Sequence, residues 1–237
     1  MPPKSLFRPC LAVLICFSGL AIADEVGLNL MEAPEQIASY YICDLENSGE
    51  PFGAQSGVCR MDDKSFPMHV GDWRQGETAG CVVKYFLLFR LPPAEGRALK
   101  HATLRLFLGQ VLHEVADKPM PPAFLFHAPE WPDEAWTSDG RNHGLQTSHF
   151  GDDATFSQNV PLCGPDSRVP GFLELDVTSM IQTDYQRSEQ PVAAFRLEMA
   201  DHESLDITDD LQNSYNFWGP GMLDIPERGP SLVLSFD

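Results

Sequence analysis

The amino-acid sequence predicts an all-β protein, an antiparallel β-sandwich of the jelly-roll type with one short helix. Two long segments alternate apolar and polar residues, several shorter segments do the same, and a single stretch has clear helical spacing. The chain also has 20 prolines and 18 glycines among its 237 residues, and these residues favour turns between strands. Seven or eight short strands with little helix are typical of sandwich folds.

The two long segments, residues 82–91 and 102–108, are joined by a polar connection. Alternate residues of a strand face opposite sides of its sheet. The side that we expect to be buried carries Val83, Tyr85, Leu87, Phe89 and Leu91, then Ala102, Leu104, Leu106 and Leu108. Pro92 and Pro93 end the first strand, because proline has no N–H for the sheet ladder. We expect the two strands to pair as a hairpin at the centre of the sheet.

Shorter elements follow the same pattern. Further strands are expected at residues 40–45, 65–73, 123–128, 172–177, 192–199 and 232–236. The strand at 65–73 contains Pro67, which favours an edge position. Residues 24–39 are weakly patterned and indicate an arm or a short helix. Residues 178–186 have helical spacing, and Asp176 or Thr178 is the expected source of an N-cap oxygen.

Residues 138–171 form a long polar segment without a sustained period. Loops of this length in compact domains are usually functional or partly disordered. A second irregular segment, residues 201–213, is acidic. We see no linker, internal repeat or low-complexity stretch, so residues 24–237 are predicted to form a single domain.

The first 23 residues have the features of a secretory signal peptide. Lys4 and Arg8 provide a positive start, residues 11–20 are apolar, and Ala21-Ile22-Ala23 is a small-x-small cleavage site. The apolar run is too short for a comfortable membrane span. We therefore expect a secreted or extracytoplasmic protein, extracellular or periplasmic, with no transmembrane segment in the mature chain.

The charge balance of the mature chain limits the choice of partners. Without Lys4 and Arg8, the 16 basic residues become 14, against 34 acidic residues. This balance argues against nucleic acid, whose binding depends on Lys and Arg at phosphates. A neutral glycan, calcium or a cationic partner is easier to accommodate. Acidity by itself also keeps a secreted protein soluble.

Four cysteines remain after the signal: Cys43, Cys59, Cys81 and Cys163. An even number in an oxidising compartment indicates two disulfides, with three possible pairings. We favour Cys43–Cys59, which closes a local loop, and Cys81–Cys163, which ties the long segment to the first long strand. The spacing does not resemble a zinc site.

Six segments succeed one another in a familiar order: YFLLFRLPP, KHATLRLFLG, PEWPDEAWTSDG, LELDVTSMIQ, VAAFRLEMA and RGPSLVLSF. This order, over residues 82–236, resembles the DNRLRE-type domain, a secreted β-sandwich related to carbohydrate-binding modules. The resemblance implies the same fold and a polysaccharide ligand. The hexapeptide that names the family is absent, and YNFWGPGMLDIPERGP replaces the usual step before the last strand.

Aromatic residues at strand ends and in loops are the candidate sugar platforms, because a pyranose C–H face stacks on an aromatic ring. The candidate ligand-binding residues are Trp73, Trp136, Tyr215 and Trp218. Trp131 is better explained as a core residue capping the sandwich. Trp218 is the strongest candidate, since its segment departs from the family pattern.

The acidic loops are candidate calcium sites, because calcium prefers several converging hard oxygen ligands. The candidate calcium ligands are Asp152, Asp153, Asp206 and Asp209. Neither loop has the EF-hand spacing, and a solvated acidic loop is the default interpretation. A transition metal at His143 and His149 ranks lower, and no cofactor is required by the sequence.

We therefore expect a non-catalytic protein that recognises a cell-wall or matrix polysaccharide. The alternative is a structural or adhesive surface protein that binds another protein, and a polysaccharide lyase or hydrolase ranks third. The sequence has no Gly-x-Ser-x-Gly and no His-Glu-x-x-His motif. A carboxylate pair for glycoside cleavage has no sequence spacing that would locate it.

Overall fold

The described part of the protein consists mainly of antiparallel β-strands, as the sequence predicts. The computed structural model describes residues 24–29, 37–45, 50–51, 59–60, 68–74, 80–114, 119–136, 142–200, 213–219 and 225–237. Its strands are β1 (Asp24–Asn29), β2 (Ile37–Leu45), β3 (Glu50–Pro51), β4 (Cys59–Arg60), β5 (Met68–Arg74), β6 (Gly80–Arg90), β7 (Leu99–His113), β8 (Ala123–His127), β9 (Gln158–Cys163), β10 (Gly171–Asp176), β11 (Val192–Met199), β12 (Asn213–Phe217) and β13 (Ser231–Phe236). Within these residues the one α-helix is α1 (Thr178–Arg187). The predicted signal peptide lies outside them.

The strands form one folded sheet in the order β1-β13-β7-β12-β5-β6-β11-β8-β9, with β10 added to β7 and β2 to β6. We describe it as two layers. One layer contains β1, β13, β7 and β10, the other contains β2, β6, β11, β8 and β9, and β12 with β5 joins them. The path ends at β1 and β9 without closing into a barrel. The architecture is therefore the sandwich-like, all-β fold that the alternation predicts.

The two long strands β6 and β7 do not pair with each other, so the predicted hairpin is wrong. Strand β6 pairs with β2 along one edge and with β5 and β11 along the other. Strand β7 pairs with β10 along one edge and with β13 and β12 along the other. Their connection crosses between layers: Leu91 N donates to Pro191 O at 2.9 Å, and Tyr185 Oη donates to Pro92 O at 2.7 Å. The apolar faces of the two strands consequently meet across the core.

Three other predictions differ from the structure. The loop predicted at 138–171 contains strand β9. The edge strand predicted at 65–73 is β5, which begins at Met68 and lies between β12 and β6 in the interior of the sheet. An arm or short helix is predicted at 24–39, but the described residues of that range form strand β1 and the start of β2. Strand β1 pairs in register with β13, from Asp24 opposite Phe236 to Asn29 opposite Ser231. A pairing between segments so far apart in the sequence leaves no local signal.

Helix α1 confirms the predicted helix to within one residue at its end. Met180 and Ile181 are buried against the core. Its N-cap residue, Val177, has no capping side chain, but Asp176 Oδ1 accepts bonds from Thr178 N at 2.9 Å and Thr178 Oγ1 at 2.6 Å. Asp176, the residue before the N-cap, therefore stabilises the first turn of the helix. In the described residues, no helix is long and apolar enough to span a membrane.

The core lies between the two layers and includes a buried histidine–aspartate pair. Fully buried apolar side chains from both layers include Leu87, Phe89, Leu104, Leu108, Phe195 and Leu234. Among them, His127 Nε2 of β8 lies 3.0 Å from Asp184 Oδ2 of α1, and both side chains are 0% exposed. Burial raises the pKa of Asp184. The pair joins the helix to the sheet, where solvent does not reach it.

Candidate functional site

The two outer faces of the sandwich differ in what covers them. A segment that we call the strap, residues 142–157, lies over the outer face of β6 and β11. The outer face of β7 and β10 carries a row of aromatic and arginine side chains, of which Phe172 is 43% exposed. We call this row the aromatic strip and define it as Arg105, Phe107, Phe172, Trp218 and Arg228.

Strand alternation and register place the first members of the aromatic strip together. Arg105 and Phe107 point outward from β7 because the leucines between and beside them point into the core. On the neighbouring strand β10, Phe172 is the partner of Phe107 and Glu174 is the partner of Arg105. Directly opposite residues in an antiparallel pair have side chains in contact. The register therefore produces one aromatic pair and one ion pair side by side.

Trp218 extends the row from the end of β12. Its backbone N–H donates to Phe107 O at 2.9 Å. Its ring centroid lies 5.5 Å from that of Phe107 at 77°, and the Phe107 ring lies 5.0 Å from Phe172 at 78°. Both contacts are edge-to-face arrangements, which aromatic pairs favour. Phe107 is nearly buried between its two neighbours, so Phe172 and Trp218 present most of the accessible aromatic surface.

The two arginines lie on these rings. Arg228 Cζ is 4.4 Å from the Phe107 ring centroid and 4.7 Å from that of Trp218, and Arg105 Cζ is 4.7 Å from that of Phe172. Guanidinium groups over aromatic faces at these distances make favourable cation–π contacts. Stacking leaves the N–H groups at the edge of each guanidinium available for hydrogen bonds.

The strip is locally cationic on a strongly acidic protein. Arg105 Nε pairs with Glu174 Oε1 at 3.0 Å, with both side chains partly exposed. Arg228 forms no ion pair with a carboxylate in the described residues. The formal net charge of the whole chain is −18. A polar ligand at this face would therefore meet two stacked guanidinium donors and one carboxylate acceptor.

Under the strap, the same residue types form a buried ion cluster. Lys84 Nζ contacts Glu198 Oε2 at 2.5 Å and donates to Phe150 O of the strap at 2.7 Å. Arg196 Nε lies 3.1 Å from Glu198 Oε2, and Arg196 Nη2 donates to Asp153 Oδ1 at 2.7 Å. Burial lowers the pKa of Lys84, partly opposed by the charge of Glu198. Glu198 is thus shared by two buried cations.

Arg196 also satisfies the strap backbone. Its Nη1 donates to His149 O at 2.9 Å and to Asp152 O at 3.3 Å. Its guanidinium lies 5.0 Å from the ring centroids of both Phe126 and Phe156. Buried carbonyl groups need hydrogen-bond partners, and here two cations of the sheet supply them. The cluster explains how an irregular segment is held on the sheet.

His149 and Asp152 stabilise the strap locally. Gln146 N donates to His149 Nδ1 at 3.0 Å. Asp152 Oδ1 accepts from Thr155 N at 2.9 Å and from Ala154 N at 3.1 Å. Burial lowers the pKa of His149, and the hydrogen bonds from Thr155 lower the pKa of Asp152. Neutral His149 and ionised Asp152 are the forms that these bonds require.

The predicted platform residues do not share one face. Trp218 lies on the aromatic strip as described. Trp136 stacks on His143 of the strap at 4.0 Å and 8°, on the opposite side of the sandwich. Tyr215 is fully buried in β12 and donates its hydroxyl to Pro121 O at 2.9 Å, so it is not a surface platform. Trp73 lies in β5, and its side chain is outside the described part. Trp131 is buried in the core.

The predicted calcium ligands are only partly described. Asp153 pairs with Arg196, and Asp152 closes a turn with Thr155. Asp206 and Asp209 lie outside the described residues. Among the residues that the structure describes, no group of three or more His, Cys, Asp or Glu side chains is arranged to hold a metal ion.

The predicted disulfide between Cys81 and Cys163 is wrong. Cys163 has a free thiol. The two cysteines belong to β6 and β9, and β11 and β8 lie between those strands in the sheet. Three strand spacings of about 4.8 Å exceed the reach of a disulfide. The side chains of Cys43, Cys59 and Cys81 lie outside the described part, so their pairing stays a prediction.

Sequence reasoning missed most of the aromatic strip. It placed Arg105 and Phe107 on the side of the strand facing away from the core, but it assigned them no role. Phe172 and Arg228 were not singled out. The available signal was a large aromatic residue at a solvent-facing position of an alternating strand. Phe107 and Phe172 both have that property, and long-range register brings them together.

No protein-family model matches the sequence, and no curated protein matches it. The resemblance to the DNRLRE-type domain therefore stays a prediction. The fold and the aromatic strip together define an all-β, sandwich-like protein with an aromatic and cationic surface on one outer face.

Proposed function

We propose that the protein is a secreted, non-catalytic carbohydrate-binding protein whose aromatic strip contacts a cell-wall or matrix polysaccharide. The observation that carries the proposal is the half-buried Trp218 on an outer sheet face, in line with Phe107 and the exposed Phe172. Aromatic rings of this kind stack on the apolar faces of sugar rings. Contiguous apolar patches on a surface mark interaction sites more often than single exposed residues do.

Polar groups beside the rings suit the same ligand. Arg105 and Arg228 have N–H groups for sugar hydroxyls, and Glu174 provides an acceptor. A few polar groups placed around an apolar platform fix the orientation of a ligand. The strip therefore has both components of a sugar-binding surface.

The test is retention of the purified mature protein by a panel of insoluble and gel-embedded polysaccharides. We expect at least one neutral or matrix polysaccharide to retain the protein, and we expect Trp218→Ala to lose about tenfold or more in affinity. Parallel arms with calcium and with a chelator show whether calcium takes part. No retention by any polysaccharide would overturn the proposal.

Trp136→Ala is the matched control, because Trp136 is the half-buried tryptophan of the opposite face. It should leave retention unchanged, provided circular dichroism shows that the variant is folded. Equal losses from Trp136→Ala and Trp218→Ala would place the ligand away from the strip or indicate a general loss of structure.

A protein partner is the second candidate function. Tryptophan and arginine are enriched in the energetic centres of protein interfaces, and Trp218 with Arg228 forms such a pair. If this candidate is correct, a stoichiometric protein co-purifies with the native chain and is lost with Trp218→Ala, while polysaccharide retention is absent.

A further inference from the structure

Gly109 of β7 lies directly beneath the indole of Trp218. A Cβ atom added at Gly109 would be 2.5 Å from Trp218 Nε1 and 2.7 Å from Trp218 Cδ1. Real Cβ atoms do not approach other atoms so closely, so any larger residue must displace the ring. Gly109 thus leaves the space in which the indole rests against the strand.

A β-bulge places Gly109 at this position. Leu108 is opposite Phe217 and Gln110 is opposite Asn216, so Gly109 is the extra residue of β7 between them. Bulges redirect neighbouring side chains and are frequent beside functional sites. The backbone torsion of Gly109 does not lie in the left-handed region, so the backbone itself tolerates alanine there.

Two further groups, Phe107 and Arg228, contact the indole. The Trp218 N–H bond to Phe107 O fixes the backbone, the Phe107 ring meets the indole at 77°, and the Arg228 guanidinium lies 4.7 Å from it. These contacts restrict the orientations that the ring can adopt. A pre-oriented ring lowers the entropy lost on binding.

We propose that Gly109 is a positioning residue for ligand binding: it seats the Trp218 indole in the orientation that the ligand meets. The inference rests on the proposed function of the aromatic strip. Gly109 contributes through Trp218 and has no side chain for the ligand to contact. Its effect on binding must therefore disappear when Trp218 is absent.

The experiment is a double-mutant cycle of Gly109→Ala and Trp218→Ala, with polysaccharide affinity as the readout. We expect Gly109→Ala to weaken binding about tenfold. Adding Gly109→Ala to Trp218→Ala should cause no further loss, because neighbouring residues that act together are not additive. An unchanged affinity for Gly109→Ala, or a full second loss in the double variant, would overturn the inference.

Gly27→Ala is the matched control, since Gly27 is also a strand glycine but a Cβ there would meet nothing within 4 Å. It should bind like the native protein. A loss with Trp218→Ala but none with Gly109→Ala refutes the positioning role alone, whereas no loss with Trp218→Ala refutes the proposed site.

A second readout needs no ligand. The indole Nε1–H resonance of Trp218, assigned with Trp218→Phe, should shift in Gly109→Ala because the ring leaves the Phe107 and Arg228 contacts. The same resonance should be unchanged in Gly27→Ala. An unshifted resonance in Gly109→Ala would show that the position of the Trp218 ring does not depend on Gly109.

Discussion

The outer face of β6 and β11 and the outer face of β7 and β10 both carry an arginine that stacks on phenylalanine and pairs with a glutamate. On the first face, Arg196 is 0% exposed, pairs with Glu198 and lies beneath the strap. On the second face, Arg105 is 38% exposed and pairs with Glu174. The residue types are the same, and the difference is the segment that covers one of them.

Coverage changes what these side chains do. A buried arginine has lost its hydration and must find all its partners within the protein. Arg196 finds them in Glu198, Asp153 and the strap carbonyls, so its contacts stabilise the fold. A half-exposed arginine on an aromatic ring contributes little to stability. Arg105 keeps solvent-accessible N–H groups, on the face where we propose that the ligand binds.

Replacing each of the two arginines should separate the faces most strongly. Arg196→Met leaves the buried carbonyls of His149 and Asp152 without their arginine donor, and it leaves Glu198 with Lys84 as its one remaining cation in the cluster. We expect the free energy of unfolding to fall by about 3–5 kcal/mol, measured by urea denaturation. Arg105→Met removes an exposed ion pair, and we expect a loss below about 1 kcal/mol.

The amide hydrogens of the strap provide an independent readout. Hydrogen exchange over residues 142–157 should accelerate in Arg196→Met and remain native in Arg105→Met. Similar destabilisation by the two variants would contradict the distinction between the faces.

Lys84→Met should have an intermediate effect. Glu198 keeps Arg196 as a partner, so the chief loss is the donor to Phe150 O, while the methionine fills most of the volume. We expect a loss of about 1–3 kcal/mol in the free energy of unfolding. A loss as large as that of Arg196→Met would show that Glu198 depends equally on both cations.

The two faces also differ in how many of their buried and exposed residues the sequence predicts. Alternation alone predicted the inward residues of β6, β7 and β11, because burial of one strand face imposes a period of two. It could not predict that Lys84 and Arg196 are buried, since the covering strap is an irregular segment distant in sequence. Trp218 was predicted as a surface platform, whereas its partners Phe107 and Phe172 meet only through the register of β7 and β10.

Acidification should lower the stability of the protein through His149, which lies in the strap over the covered face. Burial lowers the pKa of His149, and the nearby Arg196 lowers it further against the opposing charge of Asp152. The unfolded chain, in which histidine titrates near about pH 6.5, therefore binds this proton more tightly. Stability consequently falls as the pH decreases through 6.5 towards the folded-state pKa.

The measurement compares the native protein with His149→Gln by urea denaturation at about pH 7.5 and about pH 5.5. The native protein should lose more stability than the variant over this interval. Asp152 does not contribute to the change in stability over this interval, because its lowered pKa places its titration at a lower pH. An identical pH dependence in the two proteins would exclude His149 as the titrating group.

Phe172→Ala should have the smallest effect on stability and a clear effect on binding. The side chain is 43% exposed, so we expect a change within about 0.5 kcal/mol in the free energy of unfolding. Polysaccharide retention should fall, because one accessible ring of the strip is removed.

Phe126→Ala is the matched variant of the covered face, where the ring lies under Arg196. It should destabilise the protein by about 1–3 kcal/mol and leave retention unchanged. The reverse pattern would assign binding to the covered face, since Phe126 lies beneath the buried Arg196 and Phe172 beneath the exposed Arg105.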